Sequence, residues 1–150
     1  MREIRLLSDP FLPGELVASF TAANPGKGGV CTFVGEVRSD ECVEALELQH
    51  YEPLTLPAMD ELADDTFSRF DLLGLQMIHR VGLLAPGEPI VCVSAASMHR
   101  RDAINAVDFC MDHLKSAAWF WKREKRLGKW HWIEPREQDY SDLGRWKRNS

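Results

Sequence analysis

Apolar positions recur in two rhythms along this chain, every second residue in some stretches and every third or fourth in others. Ile4-Arg5-Leu6-Leu7 predicts a short strand. Pro13-Gly14-Glu15 opens a short helix through Leu16, Val17 and Phe20, and Asn24-Pro25-Gly26 stops it. Residues 30–38 are rich in β-branched side chains and predict a strand, with Gly35 marking a bulge or a close backbone approach. Ser39-Asp40-Glu41 reads as a turn. Beyond it Leu46, Leu48 and His50 alternate with Glu47, Gln49 and Tyr51, so a hairpin with the preceding strand is expected. Thr55-Leu56-Pro57 has the cap-then-proline form of a helix start, and Leu56, Met59, Leu62, Ala63, Phe67 and Phe70 keep helical spacing.

Residues 75–81 predict a strand that Gly82 ends, and residues 90–96 a second, buried one fenced by Pro86-Gly87 and Pro89. A helix follows, with Ile104, Val107, Met111 and Leu114 in register, Ala103, Ala106 and Cys110 beside them, and Asp102 in its first turn. Residues 119–125 and 130–133 predict two strands around Leu127-Gly128, and the polar residues 136–150 a mobile tail. The order is strand, helix, hairpin, helix, strand, strand, helix, hairpin. It predicts an α+β fold over residues 1–150 as a single domain, with mostly antiparallel pairing.

Composition narrows the class. At 150 residues, 45% apolar and 27% charged, the chain has the make-up of a soluble globular protein with room for a core. No apolar run reaches the roughly 20 residues that span a bilayer, and Met1-Arg2-Glu3-Ile4-Arg5 is not a secretory signal. Cys31, Cys42, Cys92 and Cys110 form no C-x-x-C pair; three lie in apolar surroundings and read as buried free thiols of a cytoplasmic protein without a zinc site. The net charge of −5 is unevenly placed: residues 1–112 carry 8 Lys+Arg against 18 Asp+Glu, residues 113–150 carry 10 against 5. A basic surface for an anionic ligand and a basic tail that complements an acidic neighbour both fit this asymmetry.

The chemistry concentrates between His99 and Glu124. His99, Arg100 and Arg101 stand where a strand feeds a helix, and strand-to-helix junctions present unpaired N–H groups to anions. Cations sit poorly against the positive end of a helix dipole unless an anion binds between them. Lys115 closes the helix, where the dipole favours it without further purpose. Lys122 stands among Trp119, Phe120, Trp121 and Trp130 in the sequence, and an ammonium that loses hydration titrates nearer neutrality and can move protons. Arg38 closes its strand and is weak evidence alone. Pro25-Gly26-Lys27-Gly28-Gly29 lacks the Walker spacing, and no hydrolase or zinc-protease motif is present. The Lys/Arg/Trp mixture of residues 119–132 has the ingredients of a single-strand nucleic-acid surface, but the acidic first 112 residues argue against one.

In this order the pieces resemble the large, catalytic subunit family of molybdopterin synthase. The stretches that carry the resemblance are Gly29-Val30-Cys31-Thr32-Phe33-Val34-Gly35-Glu36-Val37-Arg38, Leu46-Glu47-Leu48-Gln49-His50-Tyr51, Ile78-His79-Arg80-Val81-Gly82 with Pro86-Gly87-Glu88, His99-Arg100, Met111-Asp112-His113-Leu114-Lys115 and Phe120-Trp121-Lys122-Arg123-Glu124. The resemblance implies an α/β hammerhead-like domain with an additional antiparallel β subdomain, assembled as a homodimer at the core of a heterotetramer. It implies a sulfurtransferase subunit that converts cyclic pyranopterin monophosphate to molybdopterin. The sulfur comes from the C-terminal Gly-Gly thiocarboxylate of a small ubiquitin-like carrier. No cofactor, metal, nucleic acid or membrane is implied.

By the same resemblance the functional positions are Arg38, His99 and Arg100 for substrate binding and Lys115 and Lys122 for catalysis. We expect Lys115 at the entering tail and the developing negative charge, Lys122 in acid–base work, and a pocket shared between two subunits. Three departures stand out: Trp119 where the family commonly has proline, Gln49 where Glu is common, and a short turn from Arg38 to Val43. The competing reading is a non-catalytic anion-binding or protein-docking module on the same scaffold.

Overall fold

The computed structural model describes residues 1–40 and 42–147, so Glu41 of the turn expected at Ser39-Asp40-Glu41 and residues 148–150 of the expected tail lie outside the described residues. The elements are β1 (Arg2–Leu7), α1 (Pro13–Ala23), β2 (Gly29–Glu36), β3 (Val43–His50), α2 (Glu52–Arg69), β4 (Gly74–Arg80), β5 (Gly82–Leu84), β6 (Pro89–Ser97), α3 (Arg100–Ser116), β7 (Phe120–Arg126), β8 (Lys129–Ile133) and α4 (Glu137–Lys147). One sheet has the order β1-β4-β6-β2, the other β5-β3-β7-β8. Among the described residues only β1 and β4 pair in parallel, and the other ladders are antiparallel. The fold is α+β with an added antiparallel sheet, as the sequence implies.

Period and burial explain the layers. In α2, Met59, Leu62, Ala63 and Thr66 form the buried stripe, and in α3 Ala103, Ala106, Val107, Cys110 and Leu114 do so. These pack with Leu75, Met77, Val91, Val93 and Ala95 of the first sheet and with Leu46, Leu48 and Phe120 of the second, in one continuous core. Each fully buried Leu, Met or Val contributes about 1.5–3 kcal/mol relative to exposure. On the opposite face of the first sheet, Ile78 and Cys92 pack with Phe11, Leu16 and Val34. The α3 stripe is rotated from the expected one: Ile104 is 44% exposed, and alanines and a cysteine take its place because β6 approaches closely.

Four expectations need correcting. The β2–β3 hairpin does not form: β2 pairs with β6, and β3 pairs with β5 and β7 in the other sheet. The ladder of β2 shifts at Gly35/Glu36, and the Val37 amide and carbonyl then bond Glu88 O (2.9 Å) and Gly87 N (2.8 Å), which leads the chain away from β3. Gly35 meets both expectations for it, since a Cβ there would stand 2.9 Å from Val91 Cγ1.

Helix α2 begins at Glu52 instead of after Thr55. Pro53 occupies its first turn and Pro57 lies inside it. Thr55 is not a cap; its hydroxyl donates to the Trp119 carbonyl at 2.8 Å and ties α2 to the start of β7. Gly82, expected only to end a strand, also starts β5, which adds to β3. Residues 137–147 of the expected mobile tail form α4, because Trp146 packs edge-on against Phe70 and Phe109 and donates Nε1–H to Asp112 at 2.7 Å.

The β7–β8 hairpin is as predicted. Leu127 and Gly128 both have positive φ, 50° and 75°, the two-residue turn whose twist matches that of antiparallel strands.

Candidate active site

The ends of five elements meet at one cavity of about 470 Å³ between the two sheets. β2 delivers Arg38 just past its bulge, α3 delivers Lys115 from its last turn, and β4 delivers His79. Alternation along β7 puts Phe120, Lys122, Glu124 and Arg126 on the cavity face, and the segment leading into α4 closes it with Glu134, Arg136 and Asp139. Leu48, directly across the ladder from Lys122, lines the cavity with Leu114 and Phe120.

Those aliphatic and Phe side chains, and not the tryptophans, dry the lysine. Trp121 points to the other face and is 46% exposed, and Trp130 stacks on the Arg123 guanidinium at 4.4 Å while that group ion-pairs with Glu47 at 3.0 Å. Burial, then the nearby Lys115 ammonium, brings the Lys122 pKa down to about 8, and Asp139 opposes the shift. An amine titrating there exchanges protons near neutral pH.

His79 is a cavity residue that the sequence reading did not single out. It is buried, its ring lies on Phe120, and its Nδ1 sits 2.8 Å from the Arg80 carbonyl oxygen, which fixes the proton of the neutral ring on Nδ1. Burial, with the two lysine charges adding to it, pushes its pKa down to about 3, so it stays neutral. The available signal was its position, two residues beyond buried Met77 on the same strand face.

His99 and Arg100 lie elsewhere in the chain. Both are exposed at the start of α3, and Arg100 borders a second, shallower hollow with Gly29, Thr32 and Ile104. Fifteen residues of helix at 1.5 Å each separate Arg100 from Lys115, about 22 Å. A single copy therefore brings together Arg38, Lys115 and Lys122, and not His99 or Arg100. The helix start itself is organised by buried Ser97, whose hydroxyl accepts the Ala103 N–H at 3.1 Å and donates to the His99 carbonyl.

The charge asymmetry resolves in the same geometry. Arg145 pairs with Asp108 and Asp112, Arg126 with Asp40 and Glu124, and Lys125 with Glu44, so part of the basic carboxy-terminal third complements upstream acids. Among the described residues no carboxylate lies within ion-pair distance of Lys115 or Lys122. Neither ammonium is held in a direct ion pair, so both can meet an anionic ligand.

A two-sheet α+β domain with an arginine and two lysines free of direct ion pairs around a half-dry cavity is an anion-handling enzyme scaffold. Comparison with known proteins supplies the family. Residues 6–117 match the model of the MoaE protein family. A molybdopterin synthase catalytic subunit from Caulobacter vibrioides is 43% identical over 148 residues, 98% of this chain and 99% of the relative. The structure of a molybdopterin cofactor biosynthesis protein E from Burkholderia multivorans superposes with a TM-score of 0.83 at 37% identity, covering 98% of this chain and 97% of that one. A Helicobacter pylori structure, described as a complex of subunits 1 and 2 of molybdopterin-converting factor, shares the fold with a TM-score of 0.76 at 20% identity over 89% and 91% of the two chains. This chain belongs to the MoaE family.

Proposed function

We propose that this chain is the catalytic subunit of a molybdopterin synthase, a sulfurtransferase that converts cyclic pyranopterin monophosphate to molybdopterin with sulfur from a small carrier subunit. Near-complete alignment with curated catalytic subunits supports the activity. The observation that carries the chemistry is the pair of lysines in one cavity, neither in a direct ion pair and one of them titrating near 8.

The roles follow from side-chain chemistry. The cyclic phosphate calls for donors and positive charge, which Arg38, His99 and Arg100 provide. Attack by the carrier's thiocarboxylate sulfur on a side-chain carbon of the pterin forms a C–S bond and breaks a C–O bond at that carbon. The oxygen leaves protonated as water or with the opened phosphate ester, and a thioester-linked intermediate results. Water then cleaves the thioester, leaving sulfur on the pterin and returning the carrier as a carboxylate; a second carrier repeats the cycle. Lys115 meets the entering tail and the negative charge that develops at the carbonyl. Lys122, half-buried on β7, transfers the protons of the addition and hydrolysis steps.

Because α3 holds Arg100 about 22 Å from Lys115, His99 and Arg100 reach a phosphate in this cavity from a second copy of the chain. The assembly is a homodimer, with carriers added to make a heterotetramer. We take residues 1–150 as one domain and place the protein in the cytoplasm. Its four cysteines are free, and among the described residues no helix is long and apolar enough to cross a membrane.

The decisive assay mixes the purified protein, thiocarboxylated carrier and cyclic pyranopterin monophosphate and measures molybdopterin. Formation of the dithiolene product is expected. Phosphate and carrier binding without product would favour the non-catalytic docking module.

A further inference from the structure

Among the acids that line the cavity, Asp139 has the least exposed side chain for which an ion pair is seen, and neither the family resemblance nor the catalytic roles above account for it. Asp139 sits in the first turn of α4, where its carboxylate accepts the Arg136 backbone N–H at 2.9 Å and the Arg136 Nη2 at 3.3 Å. Its side chain is only 12% exposed, whereas that of Arg136 is 66% exposed. The ion pair between them thus lies on the solvent side, where screening weakens it. The Asp139 carbonyl accepts the Ser116 hydroxyl at 3.1 Å, which ties the turn to the residue next to Lys115. At its far end α4 is fastened to α3 by Arg145 and Trp146, both bonded to Asp112, one turn before Lys115. The helix is pinned at both ends against the element that carries the lysine.

The other charged groups around the cavity do not duplicate this acid. On β7, Glu124 is paired with Arg126. On β2, Glu36 and Arg38 are exposed; on β4, His79 is neutral; ahead of α4, Glu134 is exposed. Asp139, at 12% exposure, is more buried than Glu124 at 23%, and its field and that of the lysines act on each other across the cavity.

We propose that Asp139 is a positioning residue for the lysine pair: locked on the first turn of α4, its carboxylate is the counter-charge that holds both ammonium groups in the cavity until the anionic substrate and carrier tail arrive. The inference rests on the catalytic reading above. It adds α4, outside the residues 6–117 that match the family model, to the working parts of the site.

The test is Asp139→Asn in the full chain, which keeps an oxygen for the Arg136 N–H, removes the charge and gives up the acceptor used by the exposed Arg136 guanidinium. In lysine side-chain carbon-13 NMR, the Lys122 titration is expected to fall by about half a pH unit, the order expected for one unit charge across a partly screened site. The corresponding inflection in the pH profile of molybdopterin formation moves with it. Asp139→Glu, which restores the charge, is expected to return both toward the parent. A Lys122 titration in the Asn variant that superimposes on the parent's overturns the proposal, and so does equal displacement in the Asn and Glu variants. A role confined to capping α4 predicts a lower Tm with an unmoved titration. A parent protein that makes no molybdopterin but shows the NMR shift overturns the catalytic reading and leaves Asp139 in place.

Discussion

The imidazole of His79 lies flat on the ring of Phe120, with centroids 4.1 Å apart and planes inclined by 15°. This contact joins β4 of the first sheet to β7 of the second beneath the cavity, two residues from Lys122. It also requires a neutral ring, because a charged imidazole in the same place would stand unhydrated beside Lys115 and Lys122.

Acid stability follows with a definite sign. The folded pKa of His79 is about 3 and the ordinary value 6.5, so between these the unfolded chain binds the proton and the folded chain does not. Stability is complete above pH 6.5 and falls as pH drops toward 3. His79→Phe should flatten this loss, which amounts to on the order of a few kcal/mol. Urea midpoints measured from pH 7 to pH 4 check it; parallel curves for parent and variant would show that His79 is not the group responsible.

Lys122 sets a kinetic inflection. With its pKa at about 8, the step in which neutral Lys122 takes a proton rises with pH through that value, and the step in which the ammonium gives one falls through it. Lys122→Ala should lower kcat by about 10²–10⁴-fold, the usual worth of a positioned acid–base group. A profile measured in single-turnover reactions without any inflection between pH 7 and 9 would remove Lys122 from proton transfer. Lys115→Ala should abolish turnover while leaving Tm unchanged.

Mixed dimers test the shared pocket. Arg100→Ala and Lys115→Ala are each expected to be inactive alone. If phosphate donors come from the second copy, a heterodimer of the two variants contains one intact pocket. Random re-association of equal amounts should then regain about one quarter of parental activity, by twofold symmetry. Mixtures that stay inactive after verified exchange would place His99 and Arg100 outside the site.

Helix α4 is held chiefly by one aromatic anchor. Trp146→Ala removes edge-on packing against Phe70 and Phe109 and the bond to Asp112, at a cost of about 2–4 kcal/mol for a partly buried Trp. A lowered Tm with a reduced rate is expected, since the cavity loses the wall that carries Arg136 and Asp139. An unchanged rate in a variant whose α4 has become protease-sensitive would show that this wall is dispensable.

What the amino-acid order determined by itself was periodicity and residue chemistry. Alternation marked β3, β7 and β8, spacing of three and four marked α2 and α3, and Leu127-Gly128 marked its turn, because these depend on neighbours within a few residues. The ordered motifs likewise marked Arg38, His99, Arg100, Lys115 and Lys122 as groups suited to an anion. Tertiary structure alone decided who meets whom. It sent β2 and β3 to different sheets, because a bulge at Gly35 redirected Val37 onto residues 87 and 88. It turned Trp130 away from Lys122, and it folded α4 where local composition is only polar, because Phe70 and Phe109 supply the apolar seat for Trp146. It also set Arg100 and Lys115 at opposite ends of one rigid helix. Helix geometry fixes a distance between Arg100 and Lys115 that one chain cannot close, which is why the shared pocket proposed above calls for a second copy.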